Sequence, residues 1–479
     1  MSLKKQTFSG LLWTFADTFL LKGVSFIAII ILARLLGPRE FGLIGMISVF
    51  IAIGTSLVDS GLSSSIIRTS DTDDSDFSTV FYLNLIISFL VYIILFFGAP
   101  FIAEFYHQEV LTNIIRLYCF SFIISAFSAV QLAILDKEMQ FRRIMQYNIP
   151  GILIGVIVGI TLGYFGYGVW SIVMMYLTTQ TVQSIVLWSF SNWKPTKTFS
   201  REKMKFHYKF GYKLMLSGLL DTVFKNIYNV LIGKFFSVQS LGYYERANTF
   251  NEYPVTIITG IINKVSYPLL SKIQNDRERI SYVYKQMLQL TFFVTTPLML
   301  GAAAVSKPLF LLVLGEQWSP AVPLFKIICL ASIFYPIHSF NISVLKVYGR
   351  SDLFLKLEIY KKIIVIISII IAFQFGILGL VWSSVISSFI ALLINTHYSS
   401  DIIKYSTKRQ LLDMLPVFLI SSLVFVIMTF LVIQLEMISI YLQIIVPSVV
   451  GILFYLTINY IISSTPLMFA LKLIKERKS

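Results

Sequence analysis

Charge is scarce in this sequence of 479 residues: only 13% are Asp, Glu, Lys or Arg, whereas 56% are hydrophobic. A soluble domain carries about 25% charged residues, because it must cover its surface with polar groups. The composition therefore excludes soluble, disordered, collagen-like and disulfide-rich secreted proteins. Lipid is the expected solvent of this chain, and only helices or a closed barrel span lipid.

Cysteine and histidine are too few to build a reactive or metal site. Cys119 and Cys329 both lie in apolar runs, which indicates neither a disulfide framework nor a zinc site. The four histidines are far apart, and the sequence has no Walker loop, H-E-x-x-H motif or Rossmann glycine pattern. We expect no enzyme activity, no metal, no cofactor and no ATP-driven transport by this chain alone.

Long apolar runs are what the sequence has in abundance. Fourteen of them reach the length of about 20 residues that a helix needs to cross about 30 Å of hydrocarbon. The runs are continuous rather than alternating, which excludes barrel strands. The first is too long for a cleaved signal peptide and lacks its small-residue cleavage site, so we expect it to be retained. The predicted spans cover residues 10–35, 41–66, 78–98, 114–135, 148–165, 169–191, 211–236, 241–268, 284–305, 320–345, 357–375, 378–396, 414–434 and 441–463.

The distribution of cations predicts the orientation of these spans. With the N-terminus in the cytoplasm, 29 of the 39 Lys and Arg residues fall on the cytoplasmic side, five on the outer side and five within spans. Cytoplasmic loops of membrane proteins carry such an excess of cations. Both termini are therefore predicted to be cytoplasmic, and the net charge of +15 indicates anionic inner-leaflet lipid rather than nucleic acid as its partner.

The chain also resembles itself at an offset of about 200 to 212 residues. The matching segments are 33–43 with 233–243, 114–119 with 324–329, 165–171 with 375–383, and Asp17 and Lys22 with Asp221 and Lys225. Six spans separate equivalent positions, so the two halves have the same orientation and are related by an axis along the membrane normal. Many secondary transporters have this plan, with the substrate path between the halves.

The predicted fold is thus an all-α integral membrane protein with about 14 transmembrane helices, in two parallel-repeat six-helix lobes plus two extra C-terminal helices. Residues 1–191 form the N-terminal lobe, 192–210 a basic cytoplasmic linker and 211–396 the C-terminal lobe. Residues 397–479 hold spans 13 and 14 and a basic cytoplasmic tail. Glycines at every fourth position from Gly151 to Gly163 predict close helix packing on span 5.

Several segments resemble bacterial polysaccharide flippases of the Wzx/WzxC type, in the superfamily that also holds the lipid II flippase and the multidrug and toxin extrusion transporters. These segments are 33–42, 137–141, 166–170, 232–235 with 241–247, 267–272 and 314–318. The resemblance covers nearly the whole chain. It implies a V-shaped pair of helical bundles that moves undecaprenyl-diphosphate-linked oligosaccharide from the inner to the outer leaflet by alternating access, coupled to H+ or Na+.

The same resemblance implies the partners and the location. Lipid-linked oligosaccharide and membrane lipids are the expected partners, with a polysaccharide polymerase and chain-length machinery as further candidates and no nucleic acid. The expected location is the bacterial cytoplasmic (inner) membrane. A cation-coupled multidrug exporter on the same scaffold is the alternative, although lysines accompany the carboxylates here. A membrane glycosyltransferase or polymerase is less favoured, because the outer loops are short.

Charges within the predicted spans are the candidate site residues, because burying each in hydrocarbon costs at least about 2.5–3.5 kcal/mol. Asp17 and Lys22 lie five residues apart on span 1, and Asp221 and Lys225 lie four apart on span 7. Two interpretations have about equal weight. Each pair either neutralises itself and holds helices together, or lines the inter-lobe cavity, where the lysines bind the diphosphate and the aspartates exchange a coupling ion.

Two further repeat pairs of cations lie near the outer ends of spans. Arg116 pairs with Lys326, and Arg34 with Lys234. For Arg116 and Lys326 we favour snorkelling of the charge to lipid headgroups, with an exit-side phosphate contact as the alternative. Arg34 and Lys234 have the same two interpretations. Asp59, near the inner end of span 2, is interpreted as interfacial.

Overall fold

The structure, a computed structural model, describes residues 23–476, and this part of the chain is helical with no strand. The all-α prediction is confirmed. The helices of the first half are α1 (Gly23–Leu36), α2 (Pro38–Asp59), α3 (Leu62–Arg68), α4 (Asp74–Tyr106), α5 (Val110–Tyr118), α6 (Ser121–Lys137), α7 (Phe141–Tyr164), α8 (Trp170–Phe190), α9 (Arg201–Lys225) and α10 (Ile227–Phe235). Those that follow are α11 (Val238–Lys272), α12 (Arg277–Ala304), α13 (Ser306–Val313), α14 (Ala321–Ser332), α15 (Tyr335–Val347), α16 (Ser351–Phe373), α17 (Gly376–Ile403), α18 (Thr407–Gln434), α19 (Ile440–Ile461) and α20 (Thr465–Glu476).

Among the predicted spans that lie within the described residues, four are interrupted rather than continuous. Span 2 breaks between α2 and α3, where Ser60 and Gly61 both adopt positive φ angles, of 43° and 64°. Spans 4, 7 and 10 break between α5 and α6, α9 and α10, and α14 and α15. Such breaks leave backbone groups without helical partners, which membrane proteins tolerate where protein or a cavity surrounds them.

Length and composition identify the membrane-crossing segments. Nine segments within residues 23–476 are long and apolar enough to cross a membrane, and they include α4, α7, α12 and the α2–α3 pair. The exposed phenylalanines of α4, such as Phe97 and Phe101, present an apolar surface suited to lipid. The chain is therefore a multi-pass membrane protein, while the total of fourteen spans and the cytoplasmic placement of both termini stay predictions.

The chain divides into two compact units between Gly242 and Tyr243. The first unit includes α9 and α10, which pack against α2 and α4. Part of the predicted linker is helical, because α9 already begins at Arg201. The expected basic tail likewise contains α20, which packs against α12. The two repeated six-helix lobes remain a prediction about ancestry and symmetry, which contacts alone do not decide.

Three glycines of the α7 stripe pack directly against α8, in the close helix packing that was predicted, whereas Gly163 faces leucines of α1. A β-carbon at Gly155 would lie 2.0 Å from the Thr179 hydroxyl oxygen and 2.7 Å from the Met175 carbonyl oxygen. Similar overlaps with α8 would arise at Gly151 and Gly159. The two helix backbones therefore approach as closely as small residues allow.

A second glycine contact in the first unit is reciprocal. A β-carbon at Gly42, in α2, would lie 1.9 Å from the carbonyl oxygen of Val238, and one at Gly242, in α11, would lie 1.9 Å from that of Pro38. Positions 38 and 238, and 42 and 242, are repeat equivalents at an offset of 200 residues. A two-fold relation between the repeats would produce this exchange of contacts, and the parallel repeat stays a prediction.

Candidate functional site

A polar cavity of about 270 Å³ lies within the first unit, where α2, α3, α6, α7 and α8 converge. We call it the acidic cavity. Its polar lining residues are Thr55, Asp59, Ser63, Ser125, Ser128, Asp136, Asn148, Gln180 and Gln183. The polar residues of α6 that line it, from Ser125 and Ser128 to Asp136, recur at helical spacing and so share one face. Polar residues of packed helices thus form one side of this cavity.

The glycine stripe helps to shape this cavity. A β-carbon at Gly151 would lie 2.4 Å from Cγ of Gln183, so a larger residue at Gly151 would displace the amide that reaches the cavity. Ser63 hydrogen-bonds the Asp59 carboxylate, which orients that group at the end of α2. Packing and hydrogen bonding therefore both hold cavity groups in position.

The charge of the acidic cavity favours a cation. Asp59 and Asp136 are its two ionisable residues, and none of the lining residues carries a positive charge. Carboxylate, hydroxyl and amide oxygens together form a hard donor set, suited to a proton or a hard metal cation. Both aspartates remain accessible. The described part of the chain contains no cluster of three His, Cys, Asp or Glu side chains placed to hold a metal ion tightly.

The predicted pair on span 7 forms a salt bridge. Lys225 Nζ lies 3.3 Å from Asp221 Oδ2, and the two side chains are 67% and 52% exposed on their unit. The protein itself therefore does not bury this pair, and either lipid, water or substrate surrounds it. Asp17 and Lys22, its predicted counterparts on span 1, lie outside the described residues.

The other predicted cations lie apart from the acidic cavity. Arg116 donates from Nε to the Phe96 carbonyl oxygen at 3.2 Å, and its guanidinium lies 4.5 Å from the Phe96 ring centroid. Lys234 contacts the Phe105 ring at 4.6 Å and His107 Nε2 at 3.3 Å. Contacts with aromatic rings suit cations placed at a membrane interface.

The remaining two predicted cations have different surroundings. Arg34 is exposed on α1, whereas Lys326 is half-buried on α14. Their roles stay predictions.

The sequence interpretation missed most of the acidic cavity. The sequence predicts an interfacial Asp59, and it assigns no role to Asp136 or to the amides of α8. The available signal was polar residues at helical spacing on two apolar spans, from Ser125 to Asp136 and from Gln180 to Gln183. Recognising it required knowledge of which helix faces meet.

The second unit contains a polar network whose side chains hydrogen-bond to one another, which we call the closed network. Tyr284 Oη donates to Asn341 Oδ1 at 2.5 Å and lies 3.1 Å from Gln410 Oε1. Ser399 donates to the same Asn341 oxygen at 2.8 Å. All four side chains are buried. They connect α12, α15, α17 and α18 through hydrogen bonds made within the protein.

Comparisons with known proteins agree with this architecture. Residues 31–323 match the family described as "Polysaccharide biosynthesis protein". The teichuronic acid biosynthesis protein TuaB of Bacillus subtilis is 26% identical over 430 residues, which cover 88% of each chain. The lipopolysaccharide biosynthesis protein WzxC of Escherichia coli is 23% identical over 376 residues, covering 78% of this chain and 76% of its own.

Solved transporter structures share the fold. The lipid II flippase MurJ, in an inward closed conformation, has a TM-score of 0.72 at 19% identity and covers 94% of this chain and 98% of its own. An inward-facing multidrug resistance transporter of the MATE family has a TM-score of 0.63 at 16% identity, covering 83% of this chain and all of its own. The family match spans more than half of the chain, so this membrane protein belongs to the polysaccharide biosynthesis protein family and is of the Wzx/WzxC type that its sequence resembles.

Proposed function

We propose that this protein moves a lipid-linked oligosaccharide, carried on undecaprenyl diphosphate, from the inner to the outer leaflet of a bacterial cytoplasmic membrane by alternating access. The family match over residues 31–323 carries the proposal. The names of the relatives TuaB and WzxC, both biosynthesis proteins of surface polysaccharides, support it. The fold shared with a lipid II flippase is compatible with a lipid-linked substrate.

The proposal includes coupling to an H+ or Na+ gradient through the acidic cavity. Two accessible carboxylates in apolar helices are costly in a membrane unless a cation or proton neutralises them. Asp59 and Asp136 supply that pair, and the hydroxyls and amides around them supply neutral oxygen donors. Exchange of the bound cation would change the charge at the junction of five helices, and so bias the conformational equilibrium of the unit.

A flipping assay in proteoliposomes tests both parts. The full-length protein is reconstituted with an undecaprenyl-diphosphate-linked oligosaccharide that carries a fluorophore on its sugar. A membrane-impermeant reducing agent then reports the fraction of labelled sugar on the outer surface over time. We expect the protein to accelerate transfer, and an imposed pH or Na+ gradient to accelerate it further. No acceleration over protein-free liposomes would refute the flippase proposal.

Neutralised variants separate coupling from flipping. Asp59→Asn combined with Asp136→Asn should reduce the rate under a gradient to the rate without one. The matched control is Glu104→Gln with Glu109→Gln, which removes two exposed carboxylates distant from the cavity in sequence and absent from its lining. Full gradient response in the double aspartate variant would exclude the acidic cavity as the coupling site. Uptake of a cationic dye without sugar transfer would instead favour the multidrug alternative.

A further inference from the structure

A second cavity in the first unit has the opposite charge. It measures about 550 Å³ and lies between the end of α3, the turn that follows it and the first half of α9. Arg68, Lys209 and Lys213 line it together with the aromatic rings of Phe206 and Phe210. We call it the basic cavity. None of its lining residues carries a carboxylate.

The two lysines of this cavity differ in their partners from Lys203, another lysine of α9. Lys203, six residues before Lys209 on α9, forms salt bridges with both Asp73 and Asp76. Within the described part of the chain, Lys209 and Lys213 form no salt bridge, although they are four residues apart and therefore neighbours on the helix surface. Like charges at this spacing repel one another. An anion in the cavity would remove that repulsion.

The walls of the basic cavity are held by buried contacts. His207, fully buried on α9, lies 2.8 Å from the Ser65 hydroxyl through Nδ1 and 3.1 Å from Asp76 Oδ1 through Nε2. A β-carbon at Gly211 would lie 2.2 Å from the Ser60 carbonyl oxygen, so α9 is docked tightly beside the α2–α3 turn. The two lysines thus project from a fixed helix, which limits the ordering cost of binding.

The mouth of the cavity combines charge with exposed apolar surface. The Arg68 guanidinium lies 4.6 Å from the centroid of the Phe210 ring. Phe206 is 57% exposed, and the neighbouring Ile67 is also exposed. A free inorganic anion needs only the cations, whereas a lipid has both a phosphate for the cations and an apolar chain for the rings. Arg68 and the start of α9 belong to segments predicted to be cytoplasmic, where the inner leaflet lies.

We propose that the basic cavity binds the phosphate group of an inner-leaflet lipid through Arg68, Lys209 and Lys213. Planar guanidinium and ammonium donors make strong charge-assisted hydrogen bonds with phosphate oxygens. Two lipids supply this chemistry: the undecaprenyl diphosphate carrier and the anionic phospholipids of the membrane. The carrier as occupant rests on the proposed function, because the site would then capture the substrate before it is moved.

Lipid binding to the full-length protein in phosphatidylcholine nanodiscs tests this proposal. Undecaprenyl diphosphate or dioleoyl phosphatidylglycerol is added, and native mass spectrometry counts the bound molecules. The triple variant Arg68→Gln, Lys209→Gln, Lys213→Gln should bind the carrier about 10-fold more weakly, because the charge-assisted bonds are lost. The matched control Lys197→Gln, Arg201→Gln, Lys205→Gln removes three exposed cations of the same region that do not line the cavity, and should bind as the wild type does.

The two lipids distinguish the source of the phosphate. A loss confined to the carrier assigns the cavity to the substrate, whereas an equal loss for phosphatidylglycerol assigns it to lipid phosphate in general. The proposal is overturned if the triple variant binds both lipids as tightly as the wild type does. It is also overturned if the matched control loses as much lipid binding as the triple variant. The double variant Lys209→Gln, Lys213→Gln keeps the contact between Arg68 and Phe210 and repeats the test if the triple variant is poorly folded.

This binding assay needs neither a gradient nor transport. A wild-type protein that binds lipid phosphate through these cations but does not move labelled sugar would refute the proposed function and leave the basic cavity as a phosphate site. If the triple variant moves sugar normally and binds lipid as the wild type does, only this inference is refuted.

Discussion

Two sites, one in each unit, show different ways of placing polar side chains inside an apolar protein. In the first unit, Asp59 and Asp136 line an open cavity together with hydroxyls and amides. In the second unit, Tyr284, Asn341 and Gln410 are buried and hydrogen-bond within the protein. A polar group in an apolar medium must find a partner. The closed network supplies that partner from its own side chains, whereas the acidic cavity leaves both of its carboxylates accessible to a ligand.

The difference indicates where stability and binding are located. A network that satisfies itself fixes the helices that contribute to it, so its loss should destabilise the protein. A cavity of accessible groups contributes little to packing, so its loss should change binding and transport instead. The predictions below test this division, from the largest expected effect on stability to the smallest.

A substitution at Gly155, where α7 packs against α8, should cause the largest loss of stability. Gly155→Ala places a β-carbon against Thr179 and the Met175 carbonyl, and overpacking of this kind costs about 1–3 kcal/mol. Thermal unfolding of the purified protein in detergent measures the loss. Gly98→Ala, in α4 with open space around the added carbon, is the control and should be neutral or slightly stabilising. Equal stability of the two variants would contradict the close packing of α7 and α8.

Removing a hydrogen bond from the closed network of the second unit should cause the second largest loss of stability. Tyr284→Phe removes the hydroxyl between Asn341 and Gln410 and leaves buried acceptors unpaired, at a cost of about 1–2 kcal/mol. Tyr282→Phe, on the same helix but exposed, should change stability by less than about 0.5 kcal/mol. The same thermal measurement decides between them. A Tyr284 variant as stable as wild type would mean that water or another group satisfies these acceptors.

The acidic cavity should tolerate neutralisation of its carboxylates without unfolding. Asp59→Asn with Asp136→Asn should change the free energy of unfolding by at most about 0.5 kcal/mol, because both side chains are accessible. A large loss of stability would show that these aspartates are structural, like the polar groups of the second unit. The thermal midpoint should be compared with that of Glu104→Gln, Glu109→Gln.

The smallest effect on stability is expected at the exposed pair of α9. Asp221→Asn with Lys225→Gln removes a salt bridge between residues four apart, worth about 0.3 kcal/mol on a helix surface. The hypothesis that the pair lines the substrate path predicts lost sugar transfer at matched protein level, with charge reversal more severe than neutralisation. Transfer at the wild-type rate would make the pair structural.

The helices were predictable because each apolar run carries its own signal of length and hydropathy. The breaks were less predictable: the α5–α6 break at Cys119 and Phe120 lies in an uninterrupted apolar run with no glycine or proline. The packing of α7 was predictable from spacing alone, since four-residue glycine periodicity is a property of one helix. The short helices α13 and α20 were not predicted, because neither is long enough to give the signal of a membrane span.

The cavities could not be predicted in the same way. Asp59 and Asp136 are 77 positions apart in sequence, and nothing local brings α2, α6 and α8 together. The cations Lys209 and Lys213 were counted only as topological signals, although four-residue spacing on a helix placed them side by side. Tertiary packing decides which polar faces meet, and a single sequence contains that information only indirectly.

The reciprocal contact of Gly42 and Gly242 has a consequence for the origin of the chain. Each glycine packs against the carbonyl group of the residue that lies four positions before the other glycine. Identical chains make the same exchange of contacts across the two-fold axis of a homodimer. A half-length chain with a single copy of this motif could therefore have paired with an identical chain through one self-complementary surface. Gene fusion would have made that interface internal, after which its two copies were free to diverge, as Pro38 and Val238 have done.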